Sequence, residues 1–282
     1  DDAYALDFLA EILASGKKAP LYKILVKEKD LTSRTTAYNN SQEIAGEFHV
    51  IITANSGVDL DQIEAAIDEG LAKFEAEGVT DKDIERIKAG LETGFYNGIS
   101  SVNGKAFQLA SYNVFAGEPD FIEKDIENIK AVTKEDVMRV YNTYVKGKPY
   151  VQTSFVPKGQ LNLIVENSVK ADVVEEEIKE NVTKVVEDEV TEVVKTPSKI
   201  DRATPPSVGE APALKIPSSW EAELSNGIEV YGISQNEIPT VNFNLVIEGG
   251  HLLDNINKNG VANLMTDIMM EGTANKTPEQ LE

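Results

Sequence analysis

Two histidines, His49 and His251, are the only nitrogen ligands of the kind zinc prefers in this chain of 282 residues, which contains no cysteine. His49 falls within a predicted strand, whereas His251 follows a glycine pair at the end of another. A catalytic zinc takes about three protein ligands, and nothing in the sequence brings these histidines together. The sequence therefore predicts structural or solvent-facing histidines, with no metal site and no catalytic residue in this chain.

The sequence also lacks the motifs of other enzymes and of nucleotide-binding proteins. No G-x-S-x-G turn exposes a serine nucleophile, and no glycine-rich loop of the P-loop or dinucleotide type occurs. The 48 acids and 27 bases give a net charge of −21, which disfavours nucleic acid and anionic lipid surfaces as partners. No apolar run reaches the roughly 18 residues of a membrane span.

Hydrophobic spacing divides residues 1–165 into helices and strands of one compact α+β unit. A period-two pattern predicts a strand at residues 47–54, the threonine content of TSRTTAYNN favours a strand before it, and residues 150–156 are predicted as a closing strand. Helical spacing predicts a helix that ends at Ser15-Gly16, a second over LYKILVKEKDL and a third over residues 59–77. Thr80 and Thr133 each precede an acid by three residues, as in a capping box, and predict two more helix starts.

A change of composition predicts a boundary at residues 166–217. Residues 166–197 alternate valine with glutamate, which indicates a solvated linker helix; a partner-docking helix is the alternative. Five of the eleven prolines then fall within residues 196–217, which predicts an extended connection. Beyond it, we expect a hairpin around Asn226-Gly227, a strand over residues 240–250, a helix over residues 260–271 and a helix start at Thr277.

The order of LSNGIEVYGI, IPTVNFNLVIEGG, GVANLMTDIMMEGT and TPEQLE resembles the start of one half of the pitrilysin/insulinase family, the inverzincin zinc metallopeptidases. GEFHVIITAN and GVTDKDIERIKAGLE resemble the second subdomain of a preceding half. In active members of this family a helix carries H-x-x-E-H, which holds zinc and supplies the general base. The resemblance implies an antiparallel sheet covered by helices, as in a pitrilysin or mitochondrial-processing-peptidase half-domain, followed by the start of a second such domain.

Placed on that motif, the ligand and base positions fall on Asn263, Thr266 and Asp267, so the motif is degenerate. A hard-cation site at Asn263 and Asp267 is an alternative, but such sites recruit six or more oxygens. We favour a helix retained for packing. The family's arginine and tyrosine, which steady the reaction intermediate, are replaced at the matching positions by Val26 and Ser33. The resemblance implies that zinc is bound by residues upstream of Asp1 and that this part binds no metal.

The loop Ser15, Gly16, Lys17 and Lys18 is the one candidate substrate-binding site. In insulinase-type members the matching loop lines the chamber and anchors one end of a substrate, and two lysines here would favour carboxylate-bearing peptide segments. The alternative is an ordinary surface turn between helices.

We therefore interpret the chain as the middle of a two-half zinc metalloendopeptidase that degrades peptides. Residues 1–165 would complete the zinc-type half, residues 166–217 would link the halves, and residues 218–282 would begin the degenerate half. This part would supply chamber wall and linker and be inactive alone; the alternative is a non-catalytic scaffold or peptide-binding member of the family. The expected partners are peptides and the rest of the polypeptide, and a homo-oligomer of this part is a further possibility. The acidic composition, the absence of cysteine and the usual location of family members favour a bacterial periplasmic or secreted location.

Overall fold

A computed structural model describes residues 2–170 and 216–282, with the single positions 201, 204, 209 and 213 between them. By their internal contacts, residues 1–168 together with 238–282 form one unit, and residues 169–237 form another. The helix predicted within residues 166–197 lies almost entirely outside the described residues. In the part that is described, no helix is long and apolar enough to cross a membrane.

The first unit is mainly helical. Two of its helices, α2 and α7, continue into wider π-helical turns, over Lys23–Glu28 and Tyr141–Val145. The helices of residues 2–168 are α1 Asp2–Ala14, α2 Pro20–Tyr22, α3 Leu60–Glu77, α4 Asp81–Gly98, α5 Val102–Phe115, α6 Ile122–Ala131 and α7 Lys134–Val140.

Short-range signals in the sequence determine where these helices begin. Thr80 accepts a hydrogen bond from the backbone N–H of Asp83, whose carboxylate accepts one from the N–H of Thr80 in return. Thr133 and Asp136 form the same reciprocal pair at the start of α7. Each box satisfies two backbone donors that a helix leaves unpaired at its start, so both predicted capping boxes are confirmed.

Strands β1 Thr32–Ser41 and β2 Gly46–Ala54 form an antiparallel pair. Their pairing sets Ala37 opposite Val50 on the face that packs against the core, and Tyr38 opposite His49 on the other. The Thr35 hydroxyl donates a 2.8 Å hydrogen bond to the carbonyl of Ala14, which fastens the sheet to the end of α1.

The core lies around α1, whose sequence is apolar on most of its surface. Phe8, Leu9 and Leu13 of this helix are fully buried. They belong to one apolar cluster with residues from α2, α3 and α7, among them Leu21, Phe74, Val137 and Tyr141. This helix-on-sheet arrangement confirms the predicted α+β class, with a small antiparallel sheet covered by helices on one face.

The second unit contains the predicted hairpin. Strands β3 Ser219–Glu223 and β4 Glu229–Ile233 pair antiparallel around the Asn226-Gly227 turn, where Gly227 has φ +82°. The ring of Trp220 lies directly over Gly232, where a Cβ atom would come within 2.0 Å of it. A side chain at position 232 would therefore displace the indole.

Within residues 238–282, which belong to the first unit, the described elements are short. They are a 3₁₀ turn Gly250–Leu253, helix α8 Val261–Ile268, a 3₁₀ turn Met269–Glu271 and helix α9 Pro278–Leu281. Helix α8 starts at Gly260, with φ +97°, and the carboxylate of Asp254 accepts hydrogen bonds from the backbone N–H groups of Gly260 and Ala262.

Two strand predictions are wrong. Residues 150–156 and residues 240–250 are not paired in a sheet, and Tyr150, Phe155 and Phe243 are exposed by 74%, 88% and 93%. Alternating apolar residues indicate a segment that can lie in a sheet, but a strand forms only where a neighbour supplies its hydrogen bonds. In the described residues neither segment has such a neighbour. The predicted domain boundaries at 165 and 217 stay a prediction.

Candidate functional site

The loop Ser15–Lys18 joins the end of α1 to the start of α2. Gly16 has φ +80°, in the left-handed region that glycine enters without a steric penalty. The carbonyl of Gly16 accepts a 3.2 Å hydrogen bond from the N–H of Ala19, which tightens the loop. All four loop residues are half-buried, so they are held in place while keeping contact with solvent.

Lys17 is the residue of this loop that contacts the segment after α8. Its Nζ donates a 2.8 Å hydrogen bond to the carbonyl of Met270 and lies 2.9 Å from Oε1 of Glu271. Nζ of Lys27 lies 3.4 Å from Oε2 of the same carboxylate. Two ammonium groups therefore share one carboxylate, which belongs to the E-G-T sequence that follows the degenerate motif.

A second carboxylate reaches the loop through its backbone. The N–H of Lys17 donates a 2.5 Å hydrogen bond to Oε2 of Glu282. This carboxylate lies so close to Gly16 that a Cβ atom there would be 2.8 Å from both of its oxygens. The loop can thus hold one carboxylate with a backbone N–H and another with an ammonium, which are the two kinds of donor that protein sites use for acidic groups.

The pKa shifts of Lys17 and Glu271 agree with these distances. The hydrogen bond from Lys17 lowers the pKa of Glu271, with a smaller contribution from the charge of Lys27. The same hydrogen bond raises the pKa of Lys17 above its ordinary value. Both groups are therefore ionised across the neutral range. Ser15 and Lys18 take part in none of these contacts; both carboxylates are held by Lys17, and Gly16 only leaves room for Glu282.

The degenerate positions Asn263, Thr266 and Asp267 all lie on α8 and are exposed. The Thr266 hydroxyl donates to the carbonyl of Asn263, 2.7 Å away. An amide, a hydroxyl and one carboxylate do not match the nitrogen and sulfur ligands that zinc prefers. Among the described residues there is no group of three or more histidine, aspartate or glutamate side chains that could hold a metal ion.

The expectation that α8 is retained for packing is not met in the described residues. Its apolar side chains are more than half exposed, and they are Val261, Leu264, Met265, Ile268 and Met269. An apolar stripe determines which face of a helix is suited to burial, but the side chains that bury it must come from another element.

The two histidines lie in different surroundings. His49 stacks on Tyr38 with ring centroids 4.7 Å apart, and its Nε2 lies 2.9 Å from Oε2 of Glu47. His251 is exposed in the 3₁₀ turn Gly250–Leu253. Neither histidine belongs to a group that could bind zinc among the described residues.

Sequence reasoning missed one group of residues. Tyr4 from α1 and Tyr112 from α5 both donate hydrogen bonds to the carboxylate of Asp125 in α6. These residues line a cavity of about 420 Å³, called here the aromatic pocket, whose wall includes Phe115 and Phe121. Residues 4 and 125 are 121 positions apart in the chain, so no local motif indicates the pocket.

Comparison with known proteins shows what the amino-terminal part is similar to. Residues 1–91 match the family model described as "Peptidase M16 inactive domain". The resemblance to pitrilysin-type zinc proteases stated from the sequence is confirmed by this match and by the named relatives. The matching model is described as an inactive domain, which supports a non-catalytic domain of this type.

Two curated bacterial relatives match about half of this chain. The chain is 26% identical over 148 residues to the zinc protease PqqE of Helicobacter pylori, covering 51% of this chain and 32% of that protein. It is 24% identical over 134 residues to a Bacillus subtilis protein named "Uncharacterized zinc protease YmxG", covering 48% and 32%. The match therefore spans about a third of the length of these relatives.

Among solved structures, a protease from Helicobacter pylori aligns with this chain at 25% identity and a TM-score of 0.45. The alignment covers 51% of this chain and 35% of that one.

Proposed function

We propose, on the premise that residues 1–91 belong to the peptidase M16 family, that the whole protein is a zinc-dependent metalloendopeptidase acting on peptides. The part described here binds peptide and does not cleave it. The family model that it matches is described as an inactive domain, and its degenerate helix lacks the histidines of the zinc motif. Zinc and its ligands are then supplied by the polypeptide upstream of Asp1, and residues 1–165 form part of the chamber wall.

The binding of two carboxylates at Lys17 is the observation that carries this proposal. One is held by the backbone N–H of Lys17 and the other by its ammonium group. Both carboxylates come from side chains of the same polypeptide, Glu282 and Glu271. They occupy positions that a peptide carboxylate could take, because the donors recognise the acidic group and not the chain that bears it.

The proposed substrate class is a peptide with a free terminal carboxylate or an acidic side chain near its end. A direct test uses a fluorescently labelled pentaalanine with either a free or an amidated carboxyl end, and measures its anisotropy with the 282-residue protein. The free acid is expected to bind more tightly than the amide. The double variant Lys17→Ala, Lys18→Ala is expected to weaken this preference, because it removes the ammonium group of Lys17 and leaves only its backbone N–H as a donor.

A matched control is the double variant Lys148→Ala, Lys158→Ala, which removes the same charge from two exposed lysines elsewhere. It is expected to keep the preference for the free acid. Glu282→Gln should strengthen peptide binding by weakening the internal competitor at the N–H of Lys17. Equal binding of acid and amide, or equal effects of the two lysine variants, would show that the loop is an ordinary surface turn.

A non-catalytic scaffold or peptide-binding protein is the second candidate, favoured by the replacement of every zinc-motif position on α8 by Asn263, Thr266 and Asp267. The two candidates differ in the zinc content of the longer polypeptide. Metal analysis of that polypeptide, with a peptidase assay before and after chelation, separates them. About one zinc per chain with chelator-sensitive cleavage supports the peptidase, and absence of both supports the scaffold.

A further inference from the structure

The aromatic pocket contains a carboxylate at a junction of three helices. Asp125, half-buried in the first turn of α6, accepts a hydrogen bond from Tyr4 on one oxygen and a 2.7 Å hydrogen bond from Tyr112 on the other. Nδ2 of Asn128 lies 3.4 Å from the Tyr4 hydroxyl. The carboxylate is therefore fixed in position by α1 and α5.

The tyrosines act here as hydrogen-bond donors. Burial first, and then the hydrogen bond to Asp125, raises the pKa of Tyr4 to about 12. The pKa of Tyr112 is raised for the same two reasons. Both hydroxyls therefore keep their protons at neutral pH. A carboxylate has about four acceptor positions, so two hydrogen bonds leave Asp125 able to accept more.

No lysine or arginine of the described residues forms an ion pair with Asp125 in this pocket. The nearest bases in the sequence have other contacts: Nζ of Lys130 lies 2.8 Å from Glu92, and Nζ of Lys124 lies over the ring of Phe121. A carboxylate removed in part from water gains most from a cationic partner, because the lower local dielectric strengthens their attraction.

The walls of the pocket suit a cation as well. The rings of Tyr112 and Phe121 meet edge to face with centroids 5.6 Å apart, and Phe115 stands 73% exposed beside them. Nζ of Lys124 is 5.6 Å from the centroid of Phe121, so this ring already accepts an ammonium group at one face. Aromatic faces attract cations within about 6 Å through the ring quadrupole.

The charge of the segment around Asp125 also favours a cationic ligand. Residues 118–130 contain five acids, Glu118, Asp120, Glu123, Asp125 and Glu127, against two bases, Lys124 and Lys130. Asp125 lines the pocket, and the net negative charge of the segment that carries it draws positively charged ligands towards it.

We propose that the aromatic pocket binds a basic side chain of a peptide, with the carboxylate of Asp125 pairing the cation and the rings of Phe115, Tyr112 and Phe121 covering its apolar stem. Arginine fits better than lysine, because a planar guanidinium both stacks on a ring and donates in parallel to a carboxylate. A volume of about 420 Å³ lies within the usual range for pockets that bind small groups. This site uses none of the residues of the Ser15–Lys18 loop, so it stands independently of the proposed carboxylate site.

The test uses two peptides without free ends, Ac-Ala-Ala-Arg-Ala-Ala-NH2 and the same sequence with citrulline in place of arginine. Citrulline keeps the shape of arginine and removes its charge, and the blocked ends offer the Ser15–Lys18 loop no carboxylate. Binding to the 282-residue protein is measured by calorimetry at low salt. The arginine peptide is expected to bind at least tenfold more tightly than the citrulline peptide.

Asp125→Asn is expected to weaken binding of the arginine peptide at least tenfold, and Phe115→Ala severalfold. The matched control is Asp120→Asn, which removes the same charge from an exposed residue of the same segment and should change binding less than twofold. A circular dichroism spectrum and melting temperature close to those of the parent protein confirm that Asp125→Asn folds; should it not fold, Phe115→Ala, at an exposed position, provides the same comparison.

Three results would overturn the proposal. They are equal binding of the two peptides, no binding of the arginine peptide at millimolar concentration, and equal losses in Asp125→Asn and Asp120→Asn. The last result would show that net charge, and not the pocket, attracts the peptide. Because neither peptide has a free carboxylate, none of these results bears on the loop.

Discussion

Nζ of Lys17 lies 2.9 Å from Oε1 of Glu271, although 254 positions separate the two residues in the chain. The contact joins the loop between α1 and α2 to the turn that follows α8. It is extended by the hydrogen bond from Nζ of Lys17 to the carbonyl of Met270. The loop considered for substrate binding is thus covered in part by residues 270–282 of the same unit.

This contact predicts a specific pH dependence for Glu271. Its pKa is lowered in the folded protein, so the contribution of the contact to stability is present above the unfolded pKa and is lost as pH falls through the lowered value. A carbon-detected NMR titration is expected to give a pKa for Glu271 below its ordinary value. Lys17→Ala should raise that pKa, because it removes the largest cause of the shift.

Lys27→Ala is the comparison for this titration. Its ammonium lies 3.4 Å from the Glu271 carboxylate, farther than that of Lys17, so the rise should be smaller. A larger effect from Lys27 than from Lys17 would contradict the geometry described.

Gly16→Ala is expected to destabilise the protein by about 1 to 2 kcal/mol, the usual cost of a left-handed conformation for a residue with a Cβ atom. Gly16 has φ +80°, and its Cβ would also come within 2.8 Å of the Glu282 carboxylate. Gly57→Ala is the matched variant, because Gly57 has φ +81° and nothing within 4 Å of its Cβ position. Urea denaturation should show a similar loss for both, and Gly16→Ala alone should displace Glu282.

Two helix glycines are expected to respond to alanine with opposite signs. Gly70 of α3 is buried, and its Cβ would lie 2.6 Å from Cδ2 of Leu21, a fully buried side chain. Gly70→Ala should therefore cost about 1 to 3 kcal/mol through overpacking of α2 against α3. Gly90 of α4 is exposed with nothing within 4 Å, so Gly90→Ala should stabilise by about 0.5 to 1 kcal/mol.

Thermal or urea denaturation of the two variants measures this difference. If Gly70→Ala proved as stable as Gly90→Ala, the close approach of α2 to α3 would be wrong.

Thr133→Ala is expected to destabilise the protein by about 1 kcal/mol, because it removes the side chain that caps α7. The variant should also raise the pKa of Asp136, since the hydrogen bond from Thr133 is the largest cause that lowers it. Thr93→Ala serves as control, since the Thr93 hydroxyl only donates to the carbonyl of Ala89 within α4. Stability there should change by less than about 0.5 kcal/mol, and an equal loss in both variants would argue against the cap.

Much of the local structure could be predicted from the sequence, because its causes are local. The two Thr-x-x-Asp boxes act over three residues, and the Asn226-Gly227 turn needs only its own backbone preference. Strand β2 was predicted from period-two spacing and β1 from its threonine content, and both are found. The strand predicted at residues 150–156 is not found, because pairing depends on a partner that the segment itself does not specify.

Some features of the candidate sites could likewise be predicted from the sequence, and others could not. The Ser15–Lys18 loop could be proposed from a glycine after a helix and from the family resemblance, and the replacement of the motif's histidines and glutamate by Asn263, Thr266 and Asp267 can be seen from residue type alone. The partners of Lys17 could not be found, because Glu271 and Glu282 are distant in sequence and ordinary in type. The same is true of Asp125, whose tyrosine partners come from two other helices.

The sequence by itself determined the helix starts, the turn residues and the replacement of the zinc motif on α8, since each depends on residue types within a few positions. Only the tertiary structure decided which carboxylates meet Lys17 and that Tyr4, Tyr112 and Asp125 line one pocket. The physical reason is that hydrogen bonds and ion pairs act over about 3 to 4 Å in space. Only packing of the apolar core around α1 brings residues more than a hundred positions apart within that distance.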